Sequence, residues 1–323
     1  MTLQDLLGTE LPIIQAPMAG VQGSDLALAV SNAGGLGSLP CAMLGPEALR
    51  SELEAMRAGT DRPFNVNFFA HIPPVPSEAR EQAWRKALSG YYAEFGIDPK
   101  TIAPGAGRTP FNADAAALVE AFRPAVVSFH FGLPDVALLQ RVKAAGARVL
   151  STATTVEEAL WLEQQGVDAI IAQGLEAGGH RGIFLTRDMS TQMGTFALLP
   201  QVVAAVTIPV IAAGGIADAS GVRAALDLGA AGVQVGTAFL LCPEATTRPI
   251  HRDALKGPQA RHTAITNLFS GGPARGIMNR VMRELGPVSG VAPEFPLATA
   301  AIAPLRAAAE ARGLGDFTPL WSG

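Results

Sequence analysis

The chain has 323 residues, of which 49% are hydrophobic, and its formal net charge is −4. This composition is typical of a globular chain with a large core and excludes a disordered one. Since the sequence contains no basic stripe or polybasic cluster, neither nucleic acid nor a membrane surface is a predicted partner.

The two cysteines, Cys41 and Cys242, stand far apart and form no CxxC pair. A disulfide framework and a zinc site are therefore not expected, and we predict a chain without a metal that works in the reducing cytoplasm. A signal peptide has a basic region followed by an apolar run, and the first residues of this chain do not have that pattern. No apolar stretch reaches about 18 residues, so no transmembrane helix is predicted.

Eight short runs of apolar or small residues alternate with helical patterns along the chain. Runs that are apolar throughout are typical of parallel strands buried on both faces, so the pattern predicts βα units of the α/β class. Eight strands with interleaved helices favour a closed (β/α)8 TIM barrel, although periodicity alone leaves an open doubly wound sheet as an alternative. The predicted strands are Ile13–Met18, Gly37–Pro40, Phe64–Phe69, Val126–Phe131, Arg148–Thr152, Ala169–Gln173, Val210–Ala213 and Val233–Gly236.

Several of the intervening helices have recognisable first residues. Ser24 or Asp25 is the predicted N-cap of the first of them, because short polar side chains accept hydrogen bonds from the first amides of a helix. Thr155 and Glu158 have the spacing of a capping box. Asp218 is the predicted N-cap of the helix that follows the seventh strand.

Two stretches are too long for simple βα units. Residues 70–125 contain many prolines and the helical patterns Ser77–Leu88 and Asp114–Phe122, so we interpret them as an insertion in a barrel domain of residues 1–242. Residues 243–323 follow the last strand and have mainly helical patterns, and we predict that they cap the barrel mouth.

Glycines follow the seventh and eighth predicted strands, where this type of barrel usually binds phosphate. The AAGGI motif contains Gly214 and Gly215, and the QVGT motif contains Gly236 and Thr237. Glycines let the backbone approach a phosphate closely, and amide groups at a helix start hold the anion. The alternative is that these glycines only form tight turns.

A glycine-dense loop leaves the sixth predicted strand. Gln173 ends that strand, and its amide can both donate and accept hydrogen bonds at the edge of a flat ligand. Gly178 lies in the loop, and His180 can take up a proton near neutral pH. The alternative for His180 is a loop histidine that is hydrogen-bonded to the backbone.

Three further segments place functional side chains at strand ends. Met18 follows the first strand and can pack on a flat ring, although a core methionine is equally consistent with the sequence. Asn67 shares a strand face with Asn65, and a polar residue inside a barrel needs a partner, for which a cofactor is one candidate. His130 is either a second active-site histidine or a satisfied core residue. Arg275 lies in a predicted glycine-rich loop before a helix, where it is available to bind an anion or a carboxylate.

Taken together, these motifs resemble the nitronate monooxygenase family, whose members were once called 2-nitropropane dioxygenases. The resemblance covers nearly the whole chain, in the same order, through the motifs QAPMAG, NVNFF, SFHFGLP, AQGLEAGGHRG, AAGGI, GVQVGTAFLLCPE and TNLFSGGPARGIMNR. It implies a barrel that binds FMN without a covalent link. It also implies oxidation of small alkyl nitronates by O2 to carbonyl compounds and nitrite, through a flavin semiquinone.

The resemblance also implies roles for individual residues. His180 would be the catalytic histidine beside the flavin, His130 falls where the family has another active-site histidine, and Met18 would lie by the ring. The residues implied to contact FMN are Asn67, Gln173, Gly178, Gly215, Gln234, Val235, Gly236 and Thr237.

One segment departs from the family pattern. The best-known members have two tyrosines and a lysine in a C-terminal segment that lines the active site, where this chain has Phe295, Thr299 and Ala303. The loss of a lysine and two hydroxyl groups weakens the expectation of a small anionic substrate.

Two other functions remain open from the sequence. One is an NAD(P)H-dependent reductase of the same fold, such as an enoyl-acyl-carrier-protein or quinone reductase. The other is a non-redox barrel that binds a phosphate ligand. The oligomeric state is also left open, with a homodimer among the alternatives.

Overall fold

The computed structural model describes residues 2–103 and 107–323, so residues 104–106 of the predicted insertion lie outside the described residues. The chain divides into two compact units. We call the first the barrel unit; it consists of Met1–Ile72, Thr109–Ala177 and Gly182–Thr247. We call the other the second unit; it consists of Pro73–Arg108, Gly178–Arg181 and Arg248–Gly323.

The described residues contain the following strands and helices. The strands are β1 (Ile13–Gln15), β2 (Gly37–Pro40), β3 (Phe64–Phe69), β4 (Val126–His130), β5 (Arg148–Ala153), β6 (Ala169–Gln173), β7 (Gly179–His180), β8 (Val210–Ala213), β9 (Gly232–Val235), β10 (Thr263–Thr266) and β11 (Ala274–Ile277). The α-helices are α1 (Leu3–Leu7), α2 (Ser24–Asn32), α3 (Pro46–Gly59), α4 (Glu78–Ala87), α5 (Ser89–Phe95), α6 (Ala113–Phe122), α7 (Val136–Ala144), α8 (Val156–Gln164), α9 (Thr195–Ala205), α10 (Ala219–Asp227), α11 (Pro249–Lys256), α12 (Arg280–Glu284) and α13 (Thr299–Glu310).

Eight parallel strands form the sheet of the barrel unit, in the order β1-β9-β8-β6-β5-β4-β3-β2. The two ends of this sheet meet, because the Gln15 amide donates to the Leu36 carbonyl at 2.9 Å and the Leu36 amide donates to the Ile13 carbonyl at 2.9 Å. The strands therefore confirm the predicted α/β class and (β/α)8 barrel.

The predicted strand bounds agree with the structure except at a few ends. The first strand stops at Gln15 and does not reach Met18, because the Met18 amide donates to the side chain of Gln22 and not to a neighbouring strand. This early end leaves residues 16–22 as a loop beyond the sheet.

Two of the three predicted helix caps are confirmed. Thr155 accepts from the Glu158 amide, and Asp218 accepts from the Gly221 amide. The first cap was wrong: Gly23 is the N-cap of α2, and Ser24 is already helical, with its amide donating to Glu52 at 2.8 Å.

Successive residues of the barrel strands belong to different apolar clusters. Val127 and Phe129 of β4 pack in a large cluster that includes side chains of the surrounding helices, whereas Val126 packs with α1 in another cluster. Side chains alternate along a strand, so Ser128 and His130 share the interior side with Val126. The interior side of β4 is thus apolar at the start of the strand and polar at its carboxyl end.

The second unit combines helices with a small antiparallel sheet in the order β10-β11-β7. Its core includes Trp84, whose indole donates to the Ala298 carbonyl at 3.1 Å, and Tyr92, whose hydroxyl donates to the Ala301 carbonyl at 2.7 Å. The sequence predicted a loop where β11 lies, because Arg275 and Gly276 interrupt any apolar alternation. Within the described residues, no helix is long and apolar enough to span a bilayer.

Candidate active site

Gly214 and Gly215 turn the chain sharply where β8 ends. Their φ angles are +116° and +70°, and residues other than glycine rarely adopt this backbone conformation. A Cβ atom on Gly214 would also lie 2.9 Å from the Ala177 amide nitrogen. The structure therefore requires glycine at Gly214, and the turn itself stays compatible with the predicted phosphate site.

Gly236 follows β9 and precedes a short 3-10 helix, Thr237–Leu241. Its φ of −119° is accessible to any residue, and a Cβ atom there would meet Ala16 at 3.4 Å and the Met18 sulfur at 3.8 Å. No tight turn demands glycine at this position, so the alternative that these glycines only form turns does not account for Gly236.

The amide side chains of Gln173 and Gln234 lie on either side of Ala213, since β8 pairs with β6 on one edge and β9 on the other. Gln173 accepts from the Gly182 amide at 2.8 Å, which ties the glycine loop to the end of β6. The side-chain oxygen of Gln234 is buried and has no hydrogen-bond partner among the described residues. A buried polar atom without a partner costs about 1–3 kcal/mol, so a ligand that donates a hydrogen bond to this atom would recover free energy.

Asn67 sits on the interior side of β3, opposite Ser128 of β4. Its amide donates to the Ser128 hydroxyl at 2.9 Å, and Asn65 donates to the same hydroxyl at 2.9 Å. The predicted shared face of Asn65 and Asn67 is confirmed by this common partner.

His130 ends β4, and its Nδ1 lies 3.1 Å from the Thr152 hydroxyl. The ring packs against Phe69 and Phe131, with centroids 5.8 and 4.6 Å apart. Phe131 has a φ of +68°, a conformation that costs a bulky residue free energy and that clusters at functional sites. This strained backbone directly after His130 favours a functional histidine over a core one.

A network of buried amides fixes the loop that contains Met18. Gln15 donates to Gln22 at 2.7 Å, and Gln22 donates to the Ser38 carbonyl at 2.8 Å while accepting from the Met18 amide at 3.0 Å. This network was not predicted from the sequence, because Gln15, Gln22 and Ser38 are 7 to 23 residues apart and belong to separate elements.

A buried carboxylate holds the segment that follows the glycine loop. Glu158, at the start of α8, is fully buried. It accepts from the amide and hydroxyl of Thr154 at 2.7 Å each, and from the amides of Phe184 and Leu185 at 2.6 and 3.2 Å. The predicted capping box is therefore only half formed, because this carboxylate binds the later loop and not the Thr155 amide.

In the second unit, His180 lies in β7 and pairs with Ala274 of β11. Its Nε2 is 2.7 Å from the Ser270 hydroxyl, and its ring contacts Phe295 and Trp321 with centroids 5.1 and 5.4 Å apart. A hydrogen bond to one ring nitrogen selects the tautomer and orientation of the imidazole. The partner of His180 at Nε2 is thus a side chain and not the backbone.

Gly178 also belongs to the second unit, where the backbone of Ser322 and Gly323 approaches it closely. A Cβ atom on Gly178 would lie 2.6 Å from the Gly323 nitrogen and 2.7 Å from the Ser322 carbonyl carbon. This contact explains the glycine by packing, and its implied contact with FMN stays a prediction.

The three residues that depart from the family pattern have different surroundings. Phe295 contacts His180, and the Arg108 guanidinium lies 5.5 Å from the centroid of the Phe295 ring. Burial lowers the pKa of Arg108. Thr299 donates its hydroxyl to the Phe269 carbonyl at 3.0 Å, and Ala303 is exposed. Phe295 is therefore the member of this set that contacts the predicted catalytic histidine.

Arg275 differs from its prediction in local structure. It lies in β11, and its Nη1 donates to the Thr263 hydroxyl of β10 at 3.0 Å. The predicted glycine-rich loop at this residue was wrong, whereas the predicted anion contact is untested.

Comparisons with known proteins indicate the same family over the length of the chain. A family model described as nitronate monooxygenase matches residues 1–323. The chain is 46% identical over 321 residues to a nitronate monooxygenase of Pseudomonas aeruginosa, which covers 98% of this chain and 91% of that protein.

Two solved structures are similar to this fold. A nitroalkane oxidase from Streptomyces ansochromogenes is 39% identical in sequence, and its structure superimposes with a TM-score of 0.89. The aligned region covers 99% of this chain and 91% of that protein's chain. FabK from Thermotoga maritima is 28% identical in sequence, and its structure superimposes with a TM-score of 0.71. The aligned region covers 100% of this chain and 88% of the FabK chain.

Proposed function

The chain belongs to the nitronate monooxygenase family, and on this premise we propose that it oxidises alkyl nitronates with O2 to carbonyl compounds and nitrite. One FMN, bound without a covalent link, is the proposed cofactor. The observation that carries the proposal is the family match over the whole chain, together with the 46% identity to a relative that is itself named a nitronate monooxygenase.

The residues of the barrel unit fit a flavin mononucleotide. The buried, unpartnered side-chain oxygen of Gln234 matches the polar edge of an isoalloxazine ring, which carries donors and acceptors. We propose that the turn at Gly214 and Gly215 and the backbone at Gly236, which follow neighbouring strands, present amide groups to a phosphate. We propose that Thr237 adds a hydroxyl donor to that phosphate.

The chemistry that FMN supplies when bound is one-electron transfer from the nitronate to O2. The protein contributes position and proton transfer. With a neutral nitroalkane, His180 removes the α-proton, and the Ser270 hydroxyl at Nε2 keeps the imidazole in one orientation while it does so. With a nitronate, which has already lost that proton, this step is not needed.

The proposal is tested by mixing the purified protein with ethylnitronate, and separately with NADH, in the absence of O2. Ethylnitronate is expected to change the visible absorbance of the flavin, whereas NADH is expected to leave it unchanged over the same time. Rapid bleaching by NADH would identify a reductase instead. A colourless protein that releases no FMN on denaturation would favour a non-redox phosphate barrel.

A further inference from the structure

Two segments of the barrel unit meet at Thr195, the first residue of α9. The loop after β6 is one of them: a Cβ atom on Gly174 would lie 1.9 Å from the Thr195 hydroxyl and 2.4 Å from its amide nitrogen. The turn after β8 is the other, since the Gly174 amide donates to the Ala213 carbonyl at 2.8 Å. Thr195 is therefore packed against the turn that contains Gly214 and Gly215.

Hydrogen bonds connect Thr195 to both segments. The Glu176 carboxylate accepts from the Thr195 amide at 2.7 Å and lies 2.8 Å from its hydroxyl, and the same hydroxyl lies 2.9 Å from the Gly214 carbonyl oxygen. A hydroxyl has one proton to donate. Because the one hydroxyl proton faces both the carboxylate oxygen and the Gly214 carbonyl oxygen within hydrogen-bond distance, it is shared between them in a bifurcated hydrogen bond.

The bond to the Gly214 carbonyl has a consequence for the next amide. A trans peptide unit is planar, so the carbonyl of Gly214 and the N–H of Gly215 point in opposite directions. Holding the carbonyl toward Thr195 therefore holds the Gly215 N–H toward the other side of the turn. A peptide between two glycines has few steric barriers of its own, so without this tether its N–H direction is poorly defined.

We propose that Thr195, anchored by Glu176, is a positioning residue that aims the Gly215 amide at the cofactor phosphate. Thr195 does not touch the cofactor in this role; it acts through the Gly214–Gly215 peptide. The inference rests on the proposed function, because it takes the turn after β8 as the phosphate site of FMN. It gives the chain a means of preferring a phosphorylated flavin over riboflavin.

Two substitutions separate the hydroxyl from the shape of the side chain. Thr195→Val has nearly the same volume but no donor, and Thr195→Ser keeps the donor but loses a methyl group. Glu176 is a less suitable site for the test, since its replacement would remove a charge as well as the anchor of Thr195.

The experiment measures binding of FMN and of riboflavin to flavin-free protein by quenching of flavin fluorescence. Thr195→Val is expected to weaken FMN binding roughly ten-fold, the equivalent of one hydrogen bond to a charged group, and to leave riboflavin binding unchanged. Thr195→Ser is expected to bind both flavins as the unsubstituted protein does.

Other outcomes overturn the inference. An equal loss for FMN and riboflavin in Thr195→Val would mean that Thr195 only stabilises the fold, and no loss for either would mean that the tether does not matter. If the unsubstituted protein binds FMN no better than riboflavin, the phosphate site itself is misplaced. Failure of the unsubstituted protein to bind either flavin would contradict the proposed function.

Discussion

His180 is held from several sides by residues distant in sequence. Ser270 binds its Nε2, and the rings of Phe295 and Trp321 lie within 5.4 Å of its own ring, measured between centroids. Such contacts fix the orientation of an imidazole and leave its basicity as the property that substitution can test.

Replacing His180 with Asn keeps a polar side chain but removes the basic nitrogen. Turnover of neutral nitroethane is expected to fall about 10²–10⁴-fold, while pre-formed ethylnitronate, which has no α-proton to lose in this step, is expected to suffer less. The measurement is the ratio of the two losses in kcat/KM, with FMN content as the control. Equal losses on both compounds at unchanged FMN content would rule out proton abstraction as the main role of His180.

Single residues of the barrel were largely predictable from local pattern. The strand positions of Asn67, His130 and Gln173 were predicted correctly, because strand parity and strand ends depend only on short runs of sequence. The partners of these residues were not predictable in the same way. Ser270 lies 90 residues from His180 and Thr152 lies 22 residues from His130, so folding alone brings each pair together.

At the scale of elements, the parallel strands were predicted well and the antiparallel ones were missed. Strands buried on both faces give continuous apolar runs, which stand out in the sequence. The short strands β10 and β11 contain polar residues and a glycine, and β7 has only two residues, so their pairing depends on tertiary contacts that no local pattern records.

The loop after β9 offers a test of the proposed phosphate site. Gly236→Ala is expected to be tolerated, because its φ is ordinary and a Cβ atom would meet Ala16 and Met18 at contact distance. Gly236→Asp is expected to reduce FMN affinity at least about 100-fold, since a carboxylate near the phosphate costs about 3 kcal/mol or more at an effective dielectric of ~20. The FMN released on denaturation gives the measurement. A fully loaded Gly236→Asp protein would show that the phosphate lies elsewhere.

At the scale of the whole molecule, the stability of the second unit is expected to depend on pH through His251. Burial lowers the pKa of His251 below its usual value of 6.5, and Arg306 lowers it further, while a hydrogen bond to the Trp321 carbonyl opposes both. The unfolded chain therefore takes up a proton at a higher pH than the folded protein does. The stability that neutral His251 contributes is complete above about pH 6.5 and is lost as the pH falls through the folded pKa.

His251→Gln keeps a donor for the Trp321 carbonyl but does not titrate. Its melting temperature is expected to fall less than that of the unsubstituted protein between pH 7 and pH 5, since each unit of pKa depression corresponds to about 1.4 kcal/mol. His262, which is exposed, provides the matched control: His262→Gln should follow the unsubstituted protein. An unchanged pH dependence in His251→Gln would exclude His251 as its source.

The second unit is assembled from three segments separated along the chain, Pro73–Arg108, Gly178–Arg181 and Arg248–Gly323. During synthesis, a nascent chain that has reached Thr247 already contains every strand of the barrel but lacks Ser270, Phe295 and Trp321, which contact His180. At ordinary rates of translation the remaining residues take on the order of ten seconds to emerge. The barrel can therefore form first, and the predicted catalytic histidine acquires its setting only when Trp321 has left the ribosome.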